Sequence, residues 1–346
     1  MIHVVEPRHK SSALRALAIL WATAAQLDKK EDPAVRRARE VNPGRFTYIS
    51  RNPFLQLSMT RLTPMHDPNL SPTDQVDGVD VWRNTVLREI ADWQQIGNVY
   101  AKPHTSTARP AIVLLHGGGW SGGSPDQYQP LAVELAQRFD VVVLCPNYRL
   151  VDRAKFPTQI QDAANAIRWL RAHAGRWLID PQRIGVCGSS AGAYLAAMVA
   201  LTHQNPLLAG GDAINGESAA VQALVVRWGP IDFIDRWYGN GGRAGPEEGM
   251  LGANYLQDPT IYHHASALSH VTAQAPPALF LQGREDRMVH QQQGELGHAA
   301  WQRHGCSSEL ILLNRIGHVE VDPADFKREI AAVIAFFAKQ LKLKPR

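Results

Sequence analysis

Short runs of apolar residues recur along the chain from about residue 82 to its end, and stretches with helical periodicity lie between them. Continuous apolar runs bounded by turn residues are typical of strands that are buried on both faces of a sheet. After a hairpin-like pair at 85–93 and 96–103, the predicted strands are 111–117, 140–148, 183–188, 221–229, 277–283 and 308–314. The predicted helices are 125–139, 156–175, a segment that ends at Thr202, and 322–341. This alternation predicts an α/β fold with a mostly parallel central sheet flanked by helices.

Two regions depart from the alternation. Residues 230–275 contain no clear strand but many glycines and several aromatic residues, which indicates an excursion between two strands of the sheet. Residues 1–80 are irregular and carry an apolar helical stripe at 11–28. Because the strands from 82 onward already complete a sheet, this stripe must be buried on another surface. We therefore expect residues 1–80 and the excursion to form a cap over a catalytic region at 81–346.

Composition narrows the class of protein. The chain has 346 residues, of which 45% are hydrophobic and 20% charged, as expected of a globular protein. The net charge is +4 and the basic residues are dispersed, so a nucleic-acid partner is not expected. No apolar run approaches the roughly 18 residues of a membrane span. Three cysteines form no zinc or disulfide pattern, and no metal site or cofactor is expected.

The N-terminal residues are compatible with two cellular locations of the protein. An amphipathic helix near the start would belong to a cytoplasmic protein, whereas residues 1–25 read as a cleaved signal peptide would mean secretion. The apolar stretch is interrupted by Arg15, which favours the helix.

A serine lies between two glycines where a predicted strand becomes a helix. The segment Gly188-Ser189-Ser190-Ala191-Gly192 has the G-x-S-x-G pattern of a sharp strand-to-helix turn, in which flanking side chains would clash. Such a turn lifts the serine hydroxyl above the carboxyl end of the sheet. The pattern predicts that Ser190 is a nucleophile and that the neighbouring Ser189 is not.

A serine nucleophile needs a base, an acid and donors for the oxyanion. The string HGGGW at 116–120 follows a buried strand, and its glycines leave backbone amides open to the site. His116 is expected to order this loop. Glu285 and Asp286 follow one later strand and His318 follows another, in the chain order Ser, Asp, His. We expect His318 as the base and Asp286 as the acid, with Val289 beginning the next helix; Glu285 is the alternative acid.

These motifs resemble those of the α/β-hydrolase superfamily, and more narrowly the hormone-sensitive-lipase and feruloyl/acetylxylan-esterase-like carboxylesterases. The resemblance covers about 82–341 and includes the segments HGGGW, PNYRL, GSSAG and RWGPIDF. It implies an oxyanion hole made by the amides of Gly118, Gly119 and Ala191. Ala193 stands where a second glycine is frequent, and GHVE replaces the more usual GHG, which leaves the shape of the pocket in doubt.

The resemblance implies a serine carboxylic-ester hydrolase that forms an acyl-enzyme on short or medium acyl esters, among them acetyl or feruloyl sugar esters. A small-molecule ester is the expected partner, and a homodimer is left open. The alternatives are an arylformamidase-type amidase of the same fold and a catalytically inactive hydrolase fold used for binding. Predicted pocket walls are aromatic or flexible apolar residues, namely Trp120, Trp237, Tyr238, Met250 and Tyr255.

Overall fold

The computed structural model describes residues 71–103, 107–210, 214–318 and 322–346. Within them, nine strands form one sheet. The strands are β1 (Asp74–Val76), β2 (Val79–Ile90), β3 (Trp93–Ala101), β4 (Arg109–Leu115), β5 (Val142–Pro146), β6 (Ile179–Ser189), β7 (Ala223–Arg227), β8 (Ala278–Gly283) and β9 (Ser308–Leu313). Their order across the sheet is β1-β2-β3-β5-β4-β6-β7-β8-β9.

The sheet has an antiparallel end and a parallel body. Strands β1 to β3 pair antiparallel with one another, and β3 pairs antiparallel with β5. From β5 to β9 every pair is parallel, so the carboxyl ends of these strands meet at one edge of the sheet. Side chains that follow the parallel strands are thereby collected at that edge, where sheets of this type build their sites.

Helices cover both faces of the sheet. The helices are α1 (Gln129–Arg138), α2 (Thr158–Ala172), α3 (Ala174–Trp177), α4 (Ala191–Thr202), α5 (Phe233–Gly239), α6 (Pro246–Leu251), α7 (Pro259–Ala265), α8 (Gln292–Arg303) and α9 (Pro323–Leu341). Alternate residues of β4 enter different core clusters: Val113 packs with residues of α2 and α4, and Leu114 packs with residues of α1 and α9. Both faces of the strand are therefore buried, which explains its uninterrupted apolar sequence.

The predicted α/β fold is confirmed, with differences at the ends of elements. The sheet begins at Asp74, earlier than residue 81, where the sequence places the start of the catalytic region. The helix expected from Val289 begins at Gln292 instead, because the amide of Val289 donates to the side chain of Asp286. Residues 1–70, which carry most of the predicted cap and the alternative signal peptide, lie outside the described residues. No described helix is long and apolar enough to cross a bilayer.

The excursion between β7 and β8 contains the three short helices α5, α6 and α7 and no strand, as the sequence predicts. Several of its aromatic residues form a connected cluster. Phe233 stacks on Tyr194 of α4 with ring centroids 4.7 Å apart, and Trp120 packs edge-on against both rings. The excursion is thus anchored to the helix that follows β6 and to the loop that follows β4.

Candidate active site

Ser190 lies on the sharp turn between β6 and α4. Its backbone has φ 52° and ψ −121°, a conformation that a residue with a side chain adopts only at a cost. Two backbone hydrogen bonds hold the turn: the Ser190 amide donates to the carbonyl of Arg227 at 2.9 Å, and its carbonyl accepts from the amide of Tyr194 at 3.1 Å. The structure therefore fixes Ser190 at the carboxyl edge of the sheet.

The glycines on either side of this turn are needed for close backbone approach. A Cβ atom added to Gly188 would collide with the backbone of Gly192, and one added to Gly192 would collide with the carbonyls of Leu115 and His116. The predicted reason for both glycines, relief of side-chain clashes at the turn, agrees with this geometry.

Three side chains from three different loops meet beside the turn. The Ser190 hydroxyl lies 3.0 Å from Nε2 of His318, and Nδ1 of His318 lies 2.7 Å from Oδ2 of Asp286. A carboxylate oxygen can only accept, so Nδ1 carries the proton and donates to Asp286. Nε2 of the neutral ring is then the acceptor for the Ser190 hydroxyl. This arrangement can withdraw a proton from the serine as it attacks a carbonyl carbon.

The loop after β8 holds the carboxylate of Asp286 in place. Its Oδ1 accepts from the amides of Met288 at 2.9 Å and Val289 at 2.8 Å, which leaves Oδ2 directed at His318. The side chain of Gln282 donates to Oδ2 at 3.4 Å and to the carbonyl of Val289 at 2.6 Å. Asp286 is buried, whereas Glu285 is exposed to solvent. The structure therefore brings Asp286, and not the alternative Glu285, to the histidine.

The loop after β4 lies next to the serine with an unusual backbone. Gly118, Gly119 and Trp120 have consecutive positive φ angles of 121°, 59° and 59°. In the part of the chain that the structure describes, the amides of Gly118, Gly119 and Ala191 donate to no other protein group. The amide of Gly117 is instead bonded to Oε1 of Gln127 at 2.9 Å. The loop thus offers amides that can receive a negatively charged oxygen.

His116 is buried beneath this loop and does not reach the serine. Its Nδ1 donates to the carbonyl of Gly117 at 2.8 Å, and its ring stacks on Tyr148 at a centroid distance of 4.2 Å. The Tyr148 hydroxyl donates to the carbonyl of His116 at 2.9 Å. Burial lowers the pKa of His116, so the ring is neutral at pH 7. His116 orders the loop, in the way that the sequence suggested.

The five predicted pocket residues divide into two groups. Trp120 and Met250 lie in the hydrophobic core, where Trp120 is 2% exposed and Met250 is fully buried. Trp237 is also buried, Tyr255 is half-buried, and Tyr238 is 66% exposed with its ring against that of Tyr255. Core packing accounts for the first two residues. A contact between substrate and the other three stays a prediction.

A cavity of about 270 Å³ lies on the side of the turn that faces α1 and α9. Ser189 and Arg227 line it together with Trp228 and Phe326, and none of the predicted pocket residues does. Since Ser190 and His318 are also not among its lining residues, this cavity is separate from the reactive atoms.

Several supporting groups of the site were not predicted from the sequence. Among them are the side chain of Gln282, the amides of Met288 and Val289, and the carbonyl of Arg227. The backbone groups carry no signal in the side-chain sequence. Gln282 carries a weak sequence signal, because it is a polar residue near the end of an otherwise apolar strand.

The sheet topology, with Ser190 on a sharp turn after β6 and with Asp286 and His318 in loops after β8 and β9, defines an α/β-hydrolase fold. Among the residues described, no cluster of three or more His, Cys, Asp or Glu side chains is arranged to hold a metal ion. The model of the BD-FAE family matches residues 98–300, more than half of the chain. The chain belongs to this family.

Individual relatives agree with this assignment. Esterase LipQ of Mycobacterium tuberculosis is 28% identical over 242 residues, which cover 68% of this chain and 55% of LipQ. Arylacetamide deacetylase of Oryctolagus cuniculus is 43% identical over 163 residues, which cover 44% of this chain and 37% of the deacetylase. The chain therefore spans about half the length, or less, of these curated relatives.

Solved structures show the same fold. A truncated carbohydrate esterase from gut microbiota superposes with a TM-score of 0.68 at 22% identity, and covers 79% of this chain and 100% of its own. Esterase Est2 of Thermogutta terrifontis, solved with bound propionate, superposes with a TM-score of 0.64 at 25% identity and covers 78% of this chain and 97% of its own. Each alignment thus includes more than three quarters of this chain and nearly the whole of the solved structure.

Proposed function

We propose that this protein is a serine carboxylic-ester hydrolase that acts through an acyl-enzyme. The observation that carries the proposal is the contact between Ser190 and His318 at 3.0 Å, with His318 held by Asp286 at 2.7 Å. A serine in a strained turn, a histidine within hydrogen-bond distance of it and a buried carboxylate that holds the histidine are the parts that acyl transfer needs. They also disfavour an inactive hydrolase fold, in which such parts need not stay in contact.

In the proposed first half-reaction, Oγ of Ser190 attacks the ester carbonyl carbon while Nε2 of His318 takes the hydroxyl proton. The carbonyl oxygen becomes an oxyanion and accepts hydrogen bonds from the amides of Gly118, Gly119 and Ala191. As the carbon–oxygen bond to the alcohol breaks, His318 gives its proton to the departing oxygen. Ser190 then carries the acyl group.

In the second half-reaction, water replaces the alcohol. Nε2 of His318 takes a proton from the water as its oxygen attacks the acyl carbon, and the same amides receive the oxyanion. The bond to Oγ of Ser190 breaks, His318 returns the proton to Oγ, and the carboxylic acid leaves. The Asp286 carboxylate stabilises the imidazolium that exists between these proton transfers.

The proposed substrates are esters with short or medium acyl chains. Support comes from relatives that are named esterases and from the bound propionate and butyrate of Est2, both of which are short acids. Acetyl or feruloyl esters of sugars are the narrower proposal, which follows from the resemblance noted in the sequence. The proposed reaction uses a small-molecule ester as substrate and needs no cofactor.

Amide hydrolysis is a second candidate, favoured by the 43% identity with arylacetamide deacetylase over 163 residues. An amide needs the same nucleophile and oxyanion donors, and His318 would protonate a departing amine in place of an alcohol. Parallel assays of an aryl acetate, an acetanilide, N-formylkynurenine, acetylated xylan and methyl ferulate separate the candidates. We expect the highest kcat/KM for an ester; a higher value for any amide would overturn the ester assignment.

Ser190→Ala tests the nucleophile. Because loss of one member of such a triad typically costs about 10⁴-fold or more, we expect hydrolysis of an aryl acetate to fall by at least that factor. The circular dichroism spectrum and thermal unfolding should be unchanged. Ser189→Ala, one residue away in the same turn, is the matched control and should keep its kcat within about threefold. A Ser190→Ala protein with more than a few per cent of the activity would place the nucleophile elsewhere.

A further inference from the structure

A buried arginine in the excursion contacts the loop that holds Asp286. Arg236, on α5, is 7% exposed. Its Nη1 donates to the carbonyl of Met288 at 2.7 Å, and its Nη2 lies 3.3 Å from Oε2 of Glu247 on α6, which is 1% exposed. One side chain thus joins two helices of the excursion to the loop after β8.

The residue that Arg236 contacts is also bonded to the acid. The amide of Met288 donates to Oδ1 of Asp286 at 2.9 Å, while Oδ2 of Asp286 accepts from His318. A displacement of the Met288 backbone would therefore move one of the two amides that set the direction of the Asp286 carboxylate. Arg236 reaches Asp286 only through this backbone, and it contacts none of the reacting atoms.

Glu247, the partner of Arg236, lies close to the loop after β4, on the other side of the site. Glu247 follows Pro246 at the start of α6, and the side chain of Pro246 lies near Gly119 in the loop after β4. A Cβ atom on Gly119 would lie 3.5 Å from Cβ of Pro246, which is ordinary van der Waals contact. The ion pair between Arg236 and Glu247 therefore connects a helix that lies beside the loop after β4 to the loop that holds Asp286.

Burial of this ion pair is not an efficient way to stabilise the excursion. Removing an arginine and a carboxylate from water carries a desolvation penalty that their attraction often does not repay. In addition, Nε of Arg236 is buried with no hydrogen-bond partner among the described residues, which adds to that penalty. A long apolar side chain would fill the same space without this cost, so packing alone gives no reason for a guanidinium here.

We propose that Arg236 is a positioning residue, which holds the Met288 carbonyl so that Asp286 keeps its orientation toward His318. This inference rests on the proposed function, because it assigns Arg236 a role only if Asp286 orients a base. Glu247 holds the guanidinium from the opposite side. Small errors in the placement of catalytic groups have large effects on rate, so a brace outside the reacting atoms can matter for kcat.

The test is a double-mutant cycle with Asp286. We expect Arg236→Met to lower kcat for an aryl acetate about tenfold and to change KM less than about twofold, since the substrate does not contact Arg236. In an Asp286→Asn protein, assayed at a higher enzyme concentration, the same substitution should lower kcat by less than about twofold. Arg236→Lys, which keeps one donor and the charge, should lose about threefold.

Arg109→Met is the matched control. Arg109 is 4% exposed, donates to the carbonyl of Trp177 at 3.1 Å and lies 3.3 Å from Oδ1 of Asp140, so its contacts imitate those of Arg236. It begins β4, at the end of the strand opposite to the site. We expect its substitution to lower the unfolding temperature but to leave kcat within about twofold. All assays are run below the lowest unfolding midpoint, and if Arg236→Met does not fold, Arg236→Lys is taken through the same cycle.

The outcomes separate this proposal from the proposed function. A loss of kcat that disappears in the Asp286→Asn background supports the positioning role. An equal loss in both backgrounds, no loss, or an equal loss in Arg109→Met overturns it. Ser190→Ala, measured in the same series, reports on the function itself: if it stays active, the triad assignment fails whatever the Arg236 variants do.

Discussion

Asp162 and Asp286 are both buried carboxylates, but they lie in different regions and have different partners. Each side chain is 0% exposed. Asp162 lies on α2, next to the antiparallel end of the sheet, and Asp286 lies in the loop after β8, at the parallel end. Burial of a charge requires compensation in either place, and the two regions supply it in different ways.

Two permanent cations neutralise Asp162. Its carboxylate contacts Nη2 of Arg88, a side chain that is 4% exposed, and it forms a two-pronged contact with Arg149 through Nε at 2.9 Å and Nη2 at 2.6 Å. Gln95 donates to the Asp162 carbonyl at 2.8 Å and accepts from Nε of Arg88. This network has the geometry of a structural tie between strand β2, the segment after β5 and helix α2.

Neutral donors hold Asp286. Among the described residues, two backbone amides and the side chain of Gln282 donate to it, and its other hydrogen bond is with His318. None of these groups is a permanent cation, so within the described part of the chain the carboxylate gains a positive partner when His318 takes a proton. Both carboxylates are buried, so burial does not distinguish their roles. Their partners do: a carboxylate held by neutral donors can stabilise a transient charge, whereas one paired with permanent cations holds the fold together.

The largest effect expected from this comparison is on kcat in Asp286→Asn. The amide of asparagine would donate to Nδ1 of His318, which forces the proton onto Nε2 and removes the acceptor that Ser190 needs. We expect kcat for an aryl acetate to fall about 10⁴-fold at neutral pH. Steady-state kinetics give this number, and thermal unfolding checks that the fold is intact.

Glu285→Gln is the control for Asp286→Asn, since it makes the same chemical change at the adjacent, exposed position. It should leave kcat within about twofold, as exposed substitutions generally have small effects. If Glu285→Gln were the more damaging variant, the acid would have to be reassigned and the contrast with Asp162 would lose its basis.

The sequence predicts the fold and the three side chains that meet beside the turn, because each follows from a local pattern. Apolar runs mark the parallel strands, and Ser190, Asp286 and His318 each lie in the turn or loop that follows one of them. A parallel sheet brings the ends of its strands to one edge, so local position is enough to bring these residues together. The geometry of the turn at Ser190 follows in the same way from its flanking glycines.

The groups that orient those side chains were not predictable in this way. The backbone amide of Met288 has no side-chain signature, and Arg236 lies in an excursion with no clear strand pattern, 52 residues from Met288. Likewise, the start of α8 at Gln292 depends on how Asp286 binds the preceding backbone. Contacts between loops depend on where the fold places those loops, and local residue patterns along the chain do not show this.

The carboxylate of Asp162 is expected to matter for stability and not for kcat. Asp162→Asn replaces the carboxylate shared by Arg88 and Arg149 with a neutral amide, and leaves their guanidinium charges without that counter-charge. Breaking a buried ion pair in this way typically costs about 3–5 kcal/mol, and we expect a loss of this size in the free energy of unfolding. Urea denaturation measures it. Below the unfolding transition, kcat should stay within about threefold, since Asp162 contacts no group of the site.

Asp92→Asn is the control for Asp162→Asn, because Asp92 pairs with Arg153 at 3.2 Å while its side chain is 88% exposed. Water screens such a pair and already solvates both partners, so its removal should change the free energy of unfolding by less than about 1 kcal/mol. Two results would contradict the distinction between the two regions. One is an unfolding free energy of Asp162→Asn as high as that of Asp92→Asn. The other is a loss of kcat in folded Asp162→Asn that approaches that of Asp286→Asn, which would mean that the network around Asp162 reaches the site through contacts between α2 and α4.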